Sequence, residues 1–198
     1  MERRPVVIVF VRAPVLGAVK RRLAAGIGMA AARRFYLETT RTVLRRLCRD
    51  PRWDVHLAVT PDAAAARGRY WPASVPRFAQ GYGDLGRRMA RAIRRFPHRP
   101  VVLVGSDVPD IAAGHIALAF RELGRGDLVF GPALDGGYWL VGARDADMVR
   151  GLFRNVRWSG PHTLADTRAT AGARRVRLVD KLDDVDDRAD YVRWRLNR

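Results

Sequence analysis

A layered α/β fold built on a mostly parallel sheet is predicted for this chain by three features of its 198 residues. Continuous apolar runs, clearest in Pro5–Val11 and Val101–Val104, read as strands buried on both faces, the pattern of a sheet covered by helices on each side. Segments of helical periodicity alternate with those runs, as βαβ units require. Aspartate, glycine and proline gather where the runs stop, at the edge where open α/β sheets bind their ligands.

The elements follow in order. Pro5–Val11 is the first strand, and Ala13-Pro14-Val15-Leu16-Gly17 is an irregular turn marked by Pro and Gly, followed at once by Lys20, Arg21 and Arg22. Met29–Arg49 reads as one long amphipathic helix with Phe35, Val43 and Leu47 inward, and Pro51 ends it. Trp53–Thr60 is a strand, Ala63–Trp71 a short helix, and Arg77–Gln80 a short edge strand. The glycine-rich loop Gly81–Gly86 opens a helix running to Phe96. Pro100–Val104 is a central strand, Ala112–Leu123 a helix that Asp110 is placed to cap, and Asp127–Gly131 and Tyr138–Gly142 are strands around an Asp135-Gly136-Gly137 turn. Short helices are expected at Asp145–Leu152 and His162–Ala171, a strand at Val176–Val179, and a last helical turn at Tyr191–Leu196. No repeat or linker interrupts the series, so residues 1–198 are expected to form a single domain.

Composition narrows the function classes. Apolar residues make up 48% and charged residues 29%, an ordinary globular balance, and no apolar run is long enough to span a membrane. The opening MERRPVVIVFVRAP has too short an apolar core for a signal peptide and no small-residue cleavage site, so a cytoplasmic protein is expected. Cys48 is the single cysteine, which excludes an internal disulfide, and its apolar neighbours make it a candidate core residue. The formal charge of +17 raises the question of nucleic acid. Lys20 and Lys181 are the only lysines, however, and the arginines are scattered in pairs along the chain instead of forming a tail. That distribution matches a GC-rich coding bias and small phosphorylated ligands better than a specific nucleic-acid partner.

Four stretches can carry chemistry. In VVLVGSDVPD, Gly105 and Ser106 end the strand and place Asp107 at the ligand edge. There Asp107 is either a ligand for a divalent metal on a phosphate or a turn residue. The loop with Ala13, Pro14 and Gly17, leading to Lys20, either wraps phosphates with backbone N–H groups and cations or is a basic surface loop. It is neither a Walker A loop nor GxGxxG. Gln80, Gly83 and Asp84 in QGYGDLGRRM suit close backbone approach to a ligand with Asp84 as a helix cap, or a plain glycine-rich connection. In GPALDGGYWLVG, Asp135, Gly136 and Gly137 repeat the setting of Asp107, so the two carboxylates share a metal, divide metal and acceptor between them, or serve only a hairpin. Trp158 can wall a pocket, Ser159 lacks the GxSxG setting of a hydrolase nucleophile, and His162 reads as a surface or capping residue. The acidic run Asp183, Asp184, Asp186, Asp187 is most simply a solvated turn before a helix.

With these motifs assembled, the chain resembles a bacterial family of glycosyltransferase-like proteins related to phospholactate guanylyltransferase, in the nucleotide-diphospho-sugar transferase superfamily. The similar segments are FVRAPVLGAVKRRL, QGYGDLGRRM, GSDVPDI, GPALDGGYWLVG, Trp158-Ser159 and LDDVDD, in order from residue 10 to residue 187. The resemblance implies a GT-A-like, three-layer αβα Rossmann-like fold with a mixed, mostly parallel sheet. It also implies a metal-dependent transferase using a nucleotide or nucleotide-sugar donor and a small-molecule acceptor, by glycosyl or nucleotidyl transfer. Lys20 and the first loop would lie near the donor's phosphates, Asp107 would hold Mg²⁺ or Mn²⁺, and Asp135 with Gly136 and Gly137 would line the acceptor side. The catalytic set is thus Lys20, Asp107 and Asp135, with Asp107 and Asp135 as metal ligands. The chain departs from the family pattern at Arg12 (Lys there), Arg21 (Thr), Arg87 (Glu) and Gly160 (Thr). These departures keep a non-catalytic nucleotide-binding protein as the alternative, ahead of a nucleic-acid-binding one. The oligomeric state is left open.

Overall fold

The computed structural model describes residues 4–67 and 69–196. Its elements, in chain order, are β1 (Val6–Arg12), α1 (Arg21–Ile27), α2 (Met29–Cys48), β2 (Asp54–Thr60), α3 (Ala63–Arg67), β3 (Arg77–Ala79), α4 (Leu85–Arg94), β4 (Val101–Gly105), α5 (Ala113–Leu123), β5 (Leu128–Pro132), β6 (Tyr138–Ala143), α6 (Thr163–Ala169), β7 (Val176–Leu178) and α7 (Arg188–Leu196). One turn of 3₁₀ helix, Ala146–Val149, follows β6. The helix expected over 63–71 crosses Gly68, which lies outside the described residues; α3 is its first part.

The strands form one sheet of seven in the order β3-β2-β1-β4-β6-β5-β7. β6 runs antiparallel to both β4 and β5, and every other pairing is parallel. Leaving β1, the chain first builds outward on one side through β2 and β3, then returns to place β4 on the other side of β1. The crevice between the C-terminal ends of β1 and β4 is therefore a topological switch point, the place where such sheets bind ligands.

Alternation along the strands explains why they are apolar throughout. Val7, Val9 and Val11 of β1 join Val102 and Val104 of β4 in a core under α2 and α5, with Leu44, Leu47, Ile116 and Leu123. Val6, Ile8, Val101 and Leu103 face the other way, onto Met89, Ala92 and Ile93 of α4 and onto Leu152. A third cluster joins α1, α2 and the approach to α7 through Leu23, Ala32, Phe35 and Val185, with Tyr191 and Trp194 packed against it. Helices on both faces of a mixed, mostly parallel sheet complete the αβα layering. Among the described residues no helix is long and apolar enough to cross a membrane.

Two expectations need correction, and one element was not foreseen. Asp110 does not cap α5: the N-cap is Ala112, whose N–H donates to His115 Nδ1 at 3.2 Å, and Asp110 is exposed two residues earlier. Cys48 is exposed instead of buried, because the inward stripe of α2 passes through Val43, Leu44 and Leu47 and leaves the next position outside. The basic run after the first loop is helical as α1, a short helix that Gly28, at φ +87°, separates from α2.

Candidate active site

The switch point opens into a cavity of about 810 Å³. Its apolar floor comes from Phe10, Leu103 and Val141 of the sheet with Leu85 and Met89 of α4, and cationic side chains Arg12, Lys20, Arg21, Arg22 and Arg88 ring it. The end of β1 is pinned by Tyr36 of α2, whose hydroxyl accepts from Arg12 N–H (2.8 Å) and donates to the Arg12 carbonyl (2.9 Å). The same hydroxyl lies 3.3 Å from Ser106 Oγ, so a single buried side chain fixes both strand ends at the crevice. Burial, chiefly, holds the Tyr36 phenol above its ordinary pKa, which keeps it neutral in this role.

Asp107 leaves the end of β4 and meets Lys20. The ammonium is 3.0 Å from Asp107 Oδ2 and 2.6 Å from Asp186 Oδ1, and the lysine side chain is only 6% exposed. Lys20 adopts a left-handed backbone, φ 48° and ψ 50°, immediately before α1, an uncommon conformation for a residue with a side chain. Burial alone would lower the pKa of Lys20, but Asp107 and Asp186 together outweigh it and hold the ammonium above its usual range. Burial pushes Asp107 the other way, and Lys20 wins again, holding that carboxyl below its ordinary value.

Asp186 arrives on a strap that the sequence reading took for a solvated turn. After β7 the chain follows the strand edge: Val179 N–H donates to Phe130 O (3.0 Å), Leu182 N–H to Pro132 O (3.2 Å) and Val185 N–H to Asp107 O (3.3 Å). In an extended segment alternate side chains point to opposite faces. Val185 enters the third core cluster, and Asp184 and Asp186 on either side of it turn toward Asp107. Carboxylate oxygens of Asp107, Asp184 and Asp186 all lie within 4.8 Å of one another. Lys20 bridges two of the three and Arg22 reaches Asp186 at 3.9 Å, which leaves Asp184 without an ion-pair partner among the described residues. Burial, then the charges of Asp186 and Asp107, push the Asp184 carboxyl up to about 7. A donor set of carboxylate oxygens alone, short of positive charge, fits a hard divalent cation such as Mg²⁺ or Mn²⁺.

The expected site residues divide by position. Lys20, Gln80, Gly105, Ser106 and Asp107 line the cavity. Ala13, Pro14 and Gly17 shape the loop that delivers Lys20 without lining it. Ala13 N–H donates to Thr60 O (2.7 Å), the Pro14 carbonyl accepts from Arg33 Nε (2.6 Å), and Gly17 turns at φ +75°. Gln80 is 3% exposed and its amide is fully used: Nε2 donates to Ala58 O (2.9 Å) and Val11 O (3.3 Å), while Oε1 accepts from Arg88 (2.8 Å). It therefore holds Arg88 against the cavity instead of reading a ligand itself. Gly83 and Asp84 start α4, where Asp84 accepts from Arg87 N–H at 2.7 Å as a cap.

Asp135, Gly136 and Gly137 form the β5–β6 turn, away from the cavity lining. Asp135 Oδ1 accepts from Gly137 N–H at 2.8 Å, and Asp135 is not one of the three clustered carboxylates. Gly136 sits at φ +84° against the Pro161 backbone, where a Cβ would stand 2.3 Å from the carbonyl oxygen. Past this turn Tyr138, Trp139 and, from a separate loop, Ser159 do line the cavity, whereas His162 is exposed and does not. Sequence reasoning missed Tyr36, Arg88, Asp184 and Asp186. The available signal for the last two was LDDVDD itself, one apolar residue alternating with acids.

In fold, this αβα sheet matches the GT-A-like nucleotide-diphospho-sugar transferase superfamily. More narrowly, the chain belongs to the DUF2064 family of uncharacterized proteins conserved in bacteria, whose profile matches residues 43–160. A Desulfovibrio desulfuricans G20 crystal structure described as a nucleotide-diphospho-sugar transferase is 29% identical, with a TM-score of 0.89 over 99% of this chain and 88% of that one. Rv0371c from Mycobacterium tuberculosis H37Rv, in a complex with manganese, is 19% identical, with a TM-score of 0.57 over 96% of this chain and 97% of that one. The 4-diphosphocytidyl-2C-methyl-D-erythritol synthase of Anaerococcus prevotii DSM 20548 shares the fold at 11% identity, with a TM-score of 0.62 over 100% of both chains. No curated protein matches the sequence.

Proposed function

We propose that the protein is a divalent-metal-dependent transferase that takes a nucleotide or nucleotide-sugar donor. The observation that carries this reading is the meeting of three carboxylates beside a buried lysine, with Asp107, Asp186, Lys20 and four arginines lining one cavity and Asp184 behind them. Asp107, Asp184 and Asp186 would hold Mg²⁺ or Mn²⁺, and the ion, when bound, would supply positive charge to phosphate oxygens. Arg12, Arg21, Arg22 and Arg88 offer the remaining charge for a diphosphate or triphosphate. Among them Arg88 is fixed in advance by Gln80, which lowers the cost of ordering it on binding. The apolar floor suits the flat face of a base, and the Tyr138–Trp139 side, with Ser159, is left for the acceptor. Tyr36 keeps the ends of β1 and β4 in register for both.

An acceptor oxygen would then attack the donor's α-phosphorus, releasing pyrophosphate, or its sugar C1, releasing the nucleoside diphosphate. The similarity to the Desulfovibrio protein and to the erythritol synthase supports donors of this class. Incubation with Mn²⁺ or Mg²⁺ and a panel of nucleoside triphosphates and nucleotide-sugars tests the reading. Metal-dependent stabilisation by at least one donor, lost in Asp107→Asn, is expected. Donor binding indifferent to metal and to Asp107 would leave a nucleotide-binding protein without catalysis, and no donor binding would remove the reading.

A further inference from the structure

Lys20 stands apart from every other cation at the site. The arginines ring the mouth, and Arg22, which also reaches the acidic strap, is 71% exposed on its side chain. The Lys20 side chain is 6% exposed, and its ammonium sits between two of the three carboxylates that make the cation seat. A divalent ion needs lone pairs of those same oxygens, and two positive centres a few ångströms apart in a half-buried crevice repel strongly. Ammonium and ion therefore compete for one position. The loop that carries Lys20 turns Val15 (50% exposed) and Leu16 (57% exposed) to solvent, while Lys20 itself adopts a left-handed backbone conformation. Released from Asp107 and Asp186, the lysine still lines the cavity that the phosphates would enter.

We infer that Lys20 is the resident counter-ion of the Asp107–Asp184–Asp186 seat, displaced when a divalent cation binds and thereby freed for a polyphosphate, so that cation binding promotes polyphosphate binding. The inference rests on the divalent-metal reading of this site and adds an order of events to it. Without the ion the lysine offsets the charges of Asp107 and Asp186 and is itself unavailable to an anion. With the ion in place the same side chain becomes a phosphate ligand. By linkage, each of the two ligands must then tighten the other by the same factor.

The test uses the full chain and Mn²⁺ alone, with free Mn²⁺ followed by electron paramagnetic resonance. Lys20→Met is expected to bind Mn²⁺ on the order of tenfold more tightly than the wild type, a coupling of ordinary size. Lys181→Met removes the other lysine, which is exposed and does not line the cavity, and is expected to change the affinity by less than about threefold. Inorganic pyrophosphate, titrated with and without Mn²⁺, should gain affinity from the metal in the wild type and gain less in Lys20→Met. A second measurement needs no variant: because the chain has two lysines, Lys20 and Lys181, ¹⁵N-lysine labelling gives two ammonium signals. Saturating Mg²⁺ should move or broaden the Lys20 signal and leave that of Lys181 unchanged. Equal Mn²⁺ affinity in wild type and Lys20→Met, an equal gain in Lys181→Met, or a Lys20 signal indifferent to bound Mg²⁺ would each overturn the inference and leave the metal reading standing. Failure of both proteins to bind Mn²⁺ would overturn the two together.

Discussion

Asp107 and Asp135 occupy matching settings in the sequence, each just past an apolar strand with glycine and proline close by, and the fold gives them different surroundings. Asp107 follows β4, a strand parallel to β1, at the point where the chain changes direction across the sheet, and its carboxylate faces the cavity and Lys20. Asp135 lies in the link between antiparallel β5 and β6, and its Oδ1 closes its own turn on Gly137 N–H. The lesson is that a carboxylate at a strand end becomes a site only when the neighbouring strand end brings something to meet it. For Asp107, β1 brings Lys20 and the strap after β7 brings Asp184 and Asp186. Asp135 is held within its own loop by Gly137 N–H, and its charge reaches the cluster only as a minor push on Asp184.

That contrast can be broken or sharpened by substitution. The largest effect is expected at Asp107: Asn in its place should weaken Mn²⁺-dependent donor binding a hundredfold or more, about 3 kcal/mol, in a titration at fixed metal. Gly136→Ala should act on the fold instead, since a Cβ there meets the Pro161 backbone at a left-handed φ. A loss of about 2 kcal/mol in urea unfolding is expected, with Mn²⁺ affinity of the folded molecules unchanged. Tyr36→Phe removes the hydroxyl that serves Arg12 and Ser106 and should cost about 1 kcal/mol in the same unfolding experiment. Asp135→Asn is expected to do least. Asn keeps an acceptor for Gly137 N–H, so both stability and Mn²⁺ affinity should stay within about 0.5 kcal/mol of the wild type. An Asp135→Asn defect as deep as that of Asp107→Asn would erase the distinction.

Much of this was legible in the residues, for reasons that differ by element. Val6–Val11 and Val101–Val104 are apolar at every position because helices cover both faces, so the central strands and the Asp107 edge declare themselves. The start of α4 is equally plain, since Asp84 is a capping residue in the capping position. Helix α1 was hidden by its composition, a short basic run in which Leu23 alone is fully buried and Ala24 and Ile27 only partly. Asp184 and Asp186 were hidden more deeply. A run of acids before a helix has the composition of a solvated turn, and what brings it to Asp107 is a strap laid along β5. Lys20 and Asp186 are 166 residues apart, and no local pattern joins them. The same holds for Tyr36, an ordinary inward residue of α2 until β1 and β4 end beside it.

The central claim is that the cation seat is made by Asp107 with the strap and not by Asp107 with the Asp135 turn. Crystals grown with Mn²⁺ and measured at the manganese absorption edge test it directly. An anomalous peak at coordination distance, about 2.0–2.4 Å, from oxygens of Asp107, Asp184 and Asp186 is the predicted result. A peak bound by Asp135, or none at this cluster under saturating Mn²⁺, would contradict it.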